Sequence, residues 1–292
     1  MSRIAKALVP GSAPAPELVA TRAKMAGMIA AYPRHPGVDI SYRQYAHVRC
    51  LVITPPMVKG RVLYFHGGGF RLGSPEVVAG FTSHLAAEAS CEMVIPFYSL
   101  APEHPFPAAL LEGEAVLQAL LAECPSAQSN VLIGGDSAGG GLAAVLARHY
   151  AEQLQGLWLL SPWLDLRVLA ASYDSNAAFD PMFSRKSAQA AVALYLQGGA
   201  DPSDPDISPL LGDLSKLPAT QILVGSGEVL LDDALAFVNR LAAQRRAVAL
   251  HVLPDMLHVE PTLRYDSPYT AEALALSASF LTARCLPSHD RH

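Results

Sequence analysis

Short runs of β-branched and aliphatic residues recur at positions 61–65, 92–97, 130–133, 156–160, 221–224 and 247–253. Between most of them lie stretches with helical spacing of apolar residues, at 76–90, 108–123, 138–153 and 230–245, and a last one covers 267–283. Continuous apolar runs alternating with helices indicate parallel strands covered on both faces by crossover helices. The pattern therefore predicts an α/β fold with a doubly wound, mostly parallel sheet. Residues 43–53 alternate and end at Thr54-Pro55-Pro56, which reads as one further strand and its turn. Upstream, residues 17–31 put Leu18, Met25, Met28 and Ile29 at near-helical spacing, so this segment reads as an amphipathic helix that needs a partner surface.

One interval departs from the rhythm. Residues 161–219 contain no convincing core strand, carry Pro162, Pro181, Pro202, Pro205, Pro209 and Pro218, and offer one helical piece at 187–196. An excursion of that size inside a compact domain is more often a functional cover than a structureless loop. The expected organisation is a core of residues 41–165 and 215–286, a cap insertion at 166–214, and an N-terminal cap segment at 1–40.

The chain has 292 residues, of which 51% are hydrophobic and 16% charged, which excludes a disordered protein. With 21 Lys+Arg against 26 Asp+Glu the net charge is −5, so no bulk positive charge draws it to nucleic acid. The expected partner is a small molecule, and a homodimer is compatible with the chain. Cys50, Cys91, Cys124 and Cys285 are far apart, without a CxxC pair or metal-ligand spacing, and read as free buried thiols. No metal and no cofactor is expected. Arg3, Lys6, Arg22 and Lys24 are separated by Pro10, Gly11, Pro14 and Pro16, which breaks any compact apolar leader, and no apolar run reaches membrane-spanning length. The expectation is a cytoplasmic protein with no membrane association.

The strongest chemical signal is Gly135-Asp136-Ser137-Ala138-Gly139, placed after the apolar run at 130–133 and at the start of the next helical stretch. A G-x-S-x-G sequence between strand and helix is a nucleophile elbow, a turn so tight that its flanks carry no bulky side chain. Neither a P-loop nor a dinucleotide fingerprint is present to give these glycines a phosphate role. His66-Gly67-Gly68-Gly69-Phe70 follows the run at 61–65, and its consecutive glycines let backbone N–H groups approach a developing oxyanion unobstructed. Gly68, Gly69 and Ala138 are the candidate donors, with His66 bracing the loop.

Serine needs a general base, and that base needs an orienting group. His258 lies just beyond the last strand, on the same carboxyl edge of the sheet as Ser137, whereas His251 sits within that strand and His149 within a helix. His35, His47 and His84 lack a catalytic context, and His289 and His292 belong to the chain end. In the chain order Ser, acid, His, the acid follows the run at 221–224. Glu228 is in that loop and is preferred, with Asp232 next. Asp232 and Asp233 also fit as first-turn acids of the following helix. Asp136, adjacent to Ser137, cannot reach the far side of the imidazole.

His66-Gly67-Gly68-Gly69-Phe70 and Gly135-Asp136-Ser137-Ala138-Gly139-Gly140 together resemble the bacterial hormone-sensitive lipase family of esterases, family IV. The segments Tyr98-Ser99-Leu100-Ala101-Pro102-Glu103-His104-Pro105-Phe106-Pro107-Ala108 and Ser161-Pro162-Trp163-Leu164-Asp165 extend the resemblance over roughly 60–262. It implies an α/β-hydrolase core with a helical cap, hydrolysing esters of short to medium acyl chains through Ser137, His258 and Glu228 without a cofactor. Glu228 stands where many members have Asp, and Ser99 where the family usually has Arg. Phe70, Trp163, Phe179, Met182 and Val259 are candidates for the acyl and alcohol pockets, though core packing explains each equally well. An amidase or other acyl hydrolase would share this triad, and a binding-only member of the fold is disfavoured because Ser, acid and His are all present.

Overall fold

The computed structural model describes residues 2–27, 32–123 and 130–285. Met28, Ile29, Cys124, His289 and His292 lie outside the described residues. The chain runs through helix α1 (Pro16–Gly27), the strands β1 (Asp39–Tyr45), β2 (Val48–Thr54) and β3 (Gly60–Phe65), helix α2 (Pro75–Ala89), strand β4 (Cys91–Pro96) and helix α3 (Ala108–Ala122). It continues with β5 (Val131–Asp136), α4 (Ser137–His149), β6 (Leu157–Leu160), and then α5 (Ser172–Ser175) and α6 (Arg185–Tyr195) within the excursion. The last part is β7 (Thr220–Gly225), α7 (Leu231–Ala243), β8 (Val248–Leu253), α8 (Glu260–Leu263) and α9 (Pro268–Cys285).

The strands form an eight-stranded sheet in the order β1-β2-β4-β3-β5-β6-β7-β8. From β4 to β8 all neighbours are parallel, while β2 is antiparallel to both β1 and β4. This is the doubly wound α/β-hydrolase architecture. The single strand expected at 43–53 is instead a hairpin, with Tyr45 paired to Val48 across Ala46 and His47. Ala46 takes φ 53, a left-handed turn conformation usually supplied by Gly or Asn, so the sequence lacks the ordinary hairpin signal there.

Period-two alternation buries both faces of the central strands. Along β3, Val62 and Tyr64 join the core under α2 and α9, whereas Leu63 and Phe65 join the core under α3, α4 and α7. Burying one such side chain contributes roughly 1.5–3 kcal/mol. The second core also takes in Trp163, Tyr173, Phe183, Ala191 and Tyr195 from the excursion, which is thereby packed onto the carboxyl edge of the sheet. Cys50, Cys91 and Cys285 are buried free thiols, with the last two sulfurs 3.0 Å apart.

Helix α1 has no fully buried residue, but Leu18, Arg22 and Met25 are half-buried on one face. Arg22 fixes the helix, donating to the carbonyls of Arg71 and Ala101 and pairing with Glu103 at 2.5 Å. Among the described residues no helix is long and apolar enough to cross a membrane.

Candidate active site

Strand β5 ends at Asp136 and helix α4 begins at the next residue, so the chain must reverse within the elbow itself. Ser137 takes φ 51, a left-handed conformation that a non-glycine residue keeps only where its surroundings impose it. Helix α4 passes so close to β3 that a Cβ on Gly139 would lie 2.1 Å from the carbonyl oxygen of Phe65, which explains the second glycine of the motif. Ser137 thus sits at the positive end of the α4 dipole, where negative charge is favoured.

The loop after β8 brings His258 to Ser137, with Nε2 2.9 Å from Oγ. On the other side of the ring, Nδ1 is 2.7 Å from Oε2 of Glu228. Ser137, His258 and Glu228 are 4%, 6% and 0% exposed, so the chain of bonds is shielded from water. Burial lowers the His258 pKa, but the bond to Glu228 and the charges of Glu228, Asp180 and Asp136 outweigh it, and the net displacement from 6.5 is upward. The longer Glu side chain folds back over its own turn, where Oε1 accepts from the Gly225 N–H at 2.6 Å and from Ser161 Oγ at 2.7 Å. Asp232 is elsewhere: its carboxylate accepts from the Ser172 N–H at 2.8 Å and ties α7 to α5. Asp233 accepts from the N–H groups of Leu164 and Asp165, and burial pushes its pKa up to about 7.

Gly68 and Gly69 take φ 120 and 60 and lie beside Ser137 at one cavity wall. A Cβ on Gly68 would come within 2.2 Å of the Leu72 carbonyl oxygen, so the loop closes only with glycine there. Ala138 is fully buried at the elbow, behind that wall. His66 stacks on Tyr98 at 4.3 Å and its Nδ1 lies 2.7 Å from the Gly67 carbonyl, while burial drives its pKa down to about 4. This neutral ring holds the glycine loop. Asp136 accepts from Tyr64 Oη at 2.6 Å, and burial raises its pKa to about 6 against that bond. Ser99, where an Arg was expected from the resemblance, binds Glu112 through both its N–H and its hydroxyl, at 2.6 and 2.7 Å.

The cavity in front of Ser137 has a volume of about 200 Å³. Of the sequence-derived pocket residues, Met182 and Val259 line it. Phe70 and Trp163 do not: both are buried in the core behind it, where Phe70 stacks on Tyr195 at 3.9 Å. Phe179 is 67% exposed and lies in a separate depression beside Gly227, because the 176–180 turn directs it away from the cavity. Apart from His66 and His258, none of the described histidines lines the cavity.

Three residues at the site had no functional reading from the sequence. Phe183 stacks on the His258 ring at 5.4 Å and forms part of the cavity wall. Asp180 accepts from the N–H groups of Met182, Phe183 and Val229, joining the excursion to the residue after Glu228. Ser161, at φ 47, holds Glu228 and accepts from the Val259 N–H at 3.3 Å. The segment Ser161-Pro162-Trp163-Leu164-Asp165 was conspicuous in the sequence, but nothing local marks its first residue as a support for an acid 67 positions away.

The model of a family described as having the alpha/beta hydrolase fold matches residues 62–261. An esterase of Acinetobacter venetianus is 35% identical over 259 residues, covering 86% of this chain and 84% of the relative. An acetyl-hydrolase of Streptomyces hygroscopicus is 34% identical over 235 residues, covering 78% of each chain. Among solved structures, a hormone-sensitive lipase from a metagenome library superposes with a TM-score of 0.88 at 34% identity, covering 94% of this chain and 93% of the other. An esterase of the bacterial hormone-sensitive lipase family superposes with a TM-score of 0.87 at 33% identity, covering 94% of both.

Proposed function

The chain belongs to the α/β-hydrolase fold family, in its bacterial hormone-sensitive lipase branch, and is an ester hydrolase; from that premise we propose that it is a carboxylesterase working through Ser137, His258 and Glu228 on short- to medium-chain esters. The observation that carries the reading is the continuous hydrogen-bonded line from Ser137 Oγ through His258 to Glu228, buried along its length.

Ser137 Oγ attacks the ester carbonyl while His258 Nε2 takes its proton. Charge moves onto the carbonyl oxygen, and the N–H groups of Gly68, Gly69 and Ala138 with the α4 dipole stabilise it. Glu228 keeps Nδ1 as the donor and stabilises the imidazolium. Collapse of the intermediate expels the alcohol, which carries off the proton from His258, and leaves the acyl group on Ser137. Water then repeats the sequence, its proton going to His258, and releases the acid. A cavity of about 200 Å³ falls below the usual range of about 300–1,000 Å³ for pockets that hold drug-sized ligands, which supports acyl chains of about two to eight carbons. Met182 and Val259 at its wall support an apolar acyl site, and the seating of α1 and residues 166–214 beside it supports their reading as a cap.

A panel of p-nitrophenyl esters from acetate to palmitate tests the chain length, and maximal turnover on palmitate contradicts it. Ser137→Ala is expected to reduce kcat by as much as about 10⁶ with the fold intact by circular dichroism. Near-normal turnover by the purified variant contradicts the assignment. The β8 edge of the sheet, where Val252 is 40% exposed, supports extending the reading to a homodimer, which light scattering tests.

A further inference from the structure

Arg71 stands two residues beyond the glycine loop and lines the same cavity as Ser137, Gly68 and Gly69. Its guanidinium contrasts with those of Arg22, Arg167 and Arg185, which pair with Glu103, Asp165 and Asp174. Among the described residues no carboxylate pairs with Arg71. Its side-chain partners there are the carbonyl and hydroxyl of Ser187, both met by Nη2 at 3.4 and 3.2 Å. Nε is buried without any acceptor. It lies 3.7 Å from where a Cβ on Gly69 would be, beside the loop proposed to hold the carbonyl oxygen. Burial alone displaces the Arg71 pKa, and it is downward, as expected of a cation drawn from water without a counter-charge.

A guanidinium donates five N–H groups in a planar fork that matches a carboxylate, and leaving it half-buried with no counter-charge and its Nε–H unpaired is unfavourable. Elsewhere the cavity wall is mainly apolar, with Met25, Leu72, Val77, Phe183 and Leu263, and its one carboxylate, Asp136, is buried and bonded to Tyr64. A bound anion would therefore meet one fixed cation inside a low-dielectric enclosure, where charge-assisted hydrogen bonds are strongest.

We propose that Arg71 determines specificity by receiving a carboxylate carried by the substrate, so that the preferred substrates are short esters bearing a free carboxylate on the acyl or the alcohol half. This rests on the esterase reading above and refines it. The proximity of Nε to Gly69 requires the carboxylate to lie a few bonds from the scissile carbonyl, as in a hemiester of a four- or five-carbon diacid.

The test compares isosteric pairs: monoethyl succinate with ethyl 4-methylpentanoate for the acyl half, and carboxymethyl butyrate with isobutyl butyrate for the alcohol half. In the wild-type enzyme kcat/KM for the charged member of one pair is expected to exceed that of its neutral partner by about tenfold, mainly through KM. Arg71→Met is expected to bring that ratio to one or below, and Arg71→Lys to restore part of it. Preference for the neutral ester in both pairs overturns the proposal, as does a ratio that Arg71→Met leaves intact. If Arg71→Met does not fold, the wild-type ratios still decide, together with competitive inhibition by free glutarate, which the proposal requires. A wild-type enzyme inactive on all four esters overturns the esterase reading instead.

Discussion

Replacing Glu228 by Gln removes the charge that holds the His258 pKa above 6.5 and leaves an amide that cannot stabilise the imidazolium. The expected loss in kcat is about three to four orders of magnitude. The sign of the pH effect follows: the base must be neutral, so wild-type kcat/KM falls as pH drops through the raised His258 pKa, and in Glu228→Gln the residual activity loses that acid limb toward lower pH. A pH–rate profile checks both parts. Asp232→Asn weakens the bond to Ser172 and removes a charge from the first turn of α7, for a cost of roughly 0.3–1 kcal/mol in stability and little in rate. Thermal melts and kcat on the two variants separate an acid that orients the base from one that fastens α5. The proposed triad was legible because each member follows a strand and stands in the carboxyl-edge loops. Ser161, Asp180 and Phe183 were not, since each acts across tens of residues through a contact that only the folded chain creates.

The turn from Asp180 to Phe183 ties the excursion to the loop that carries Glu228. Asp180→Ala leaves the buried N–H groups of Phe183 and Val229 without an acceptor, at roughly 2–5 kcal/mol together, which calorimetry should register as a drop of several degrees in Tm. Removing the Asp180 charge also lowers the His258 pKa, so the acid limb moves in the same direction as in Glu228→Gln, by less. The regular strands and helices were legible to within four residues at each end, because both-face burial leaves a continuous apolar run. The β1–β2 hairpin was not, since it turns on Ala46 and His47, and six residues of β1 are half-exposed or exposed on its outer edge before Tyr45 is buried. Helix α1 was expected from its apolar spacing, yet what fastens it is Arg22, a residue that a hydrophobic pattern passes over.

For the whole molecule, activity and stability are expected to move in opposite directions with pH. His258 and Asp233 are both raised in the folded state, the second to about 7, so the folded protein holds protons that the unfolded chain releases. Their contribution is present at low pH and lost as pH rises through those values, whereas turnover needs His258 deprotonated. His66, held down to about 4, acts in the opposite sense, and its contribution is lost as pH falls below about 6.5. The thermal midpoint should therefore fall between about pH 6.5 and 8 while kcat/KM rises, and melts that instead climb over that window contradict the assigned shifts. The two cores on opposite faces of the sheet each enclose free thiols: Cys50 on the side of α3 and α4, Cys91 and Cys285 on the side of α2 and α9. With Cys124 replaced by Ser, a thiol reagent can reach either group only during an excursion that opens its layer, so the labelling rate at each becomes a clock for that layer alone. The molecule thus carries its own pair of probes for asking whether the α9 side comes away before the α4 side.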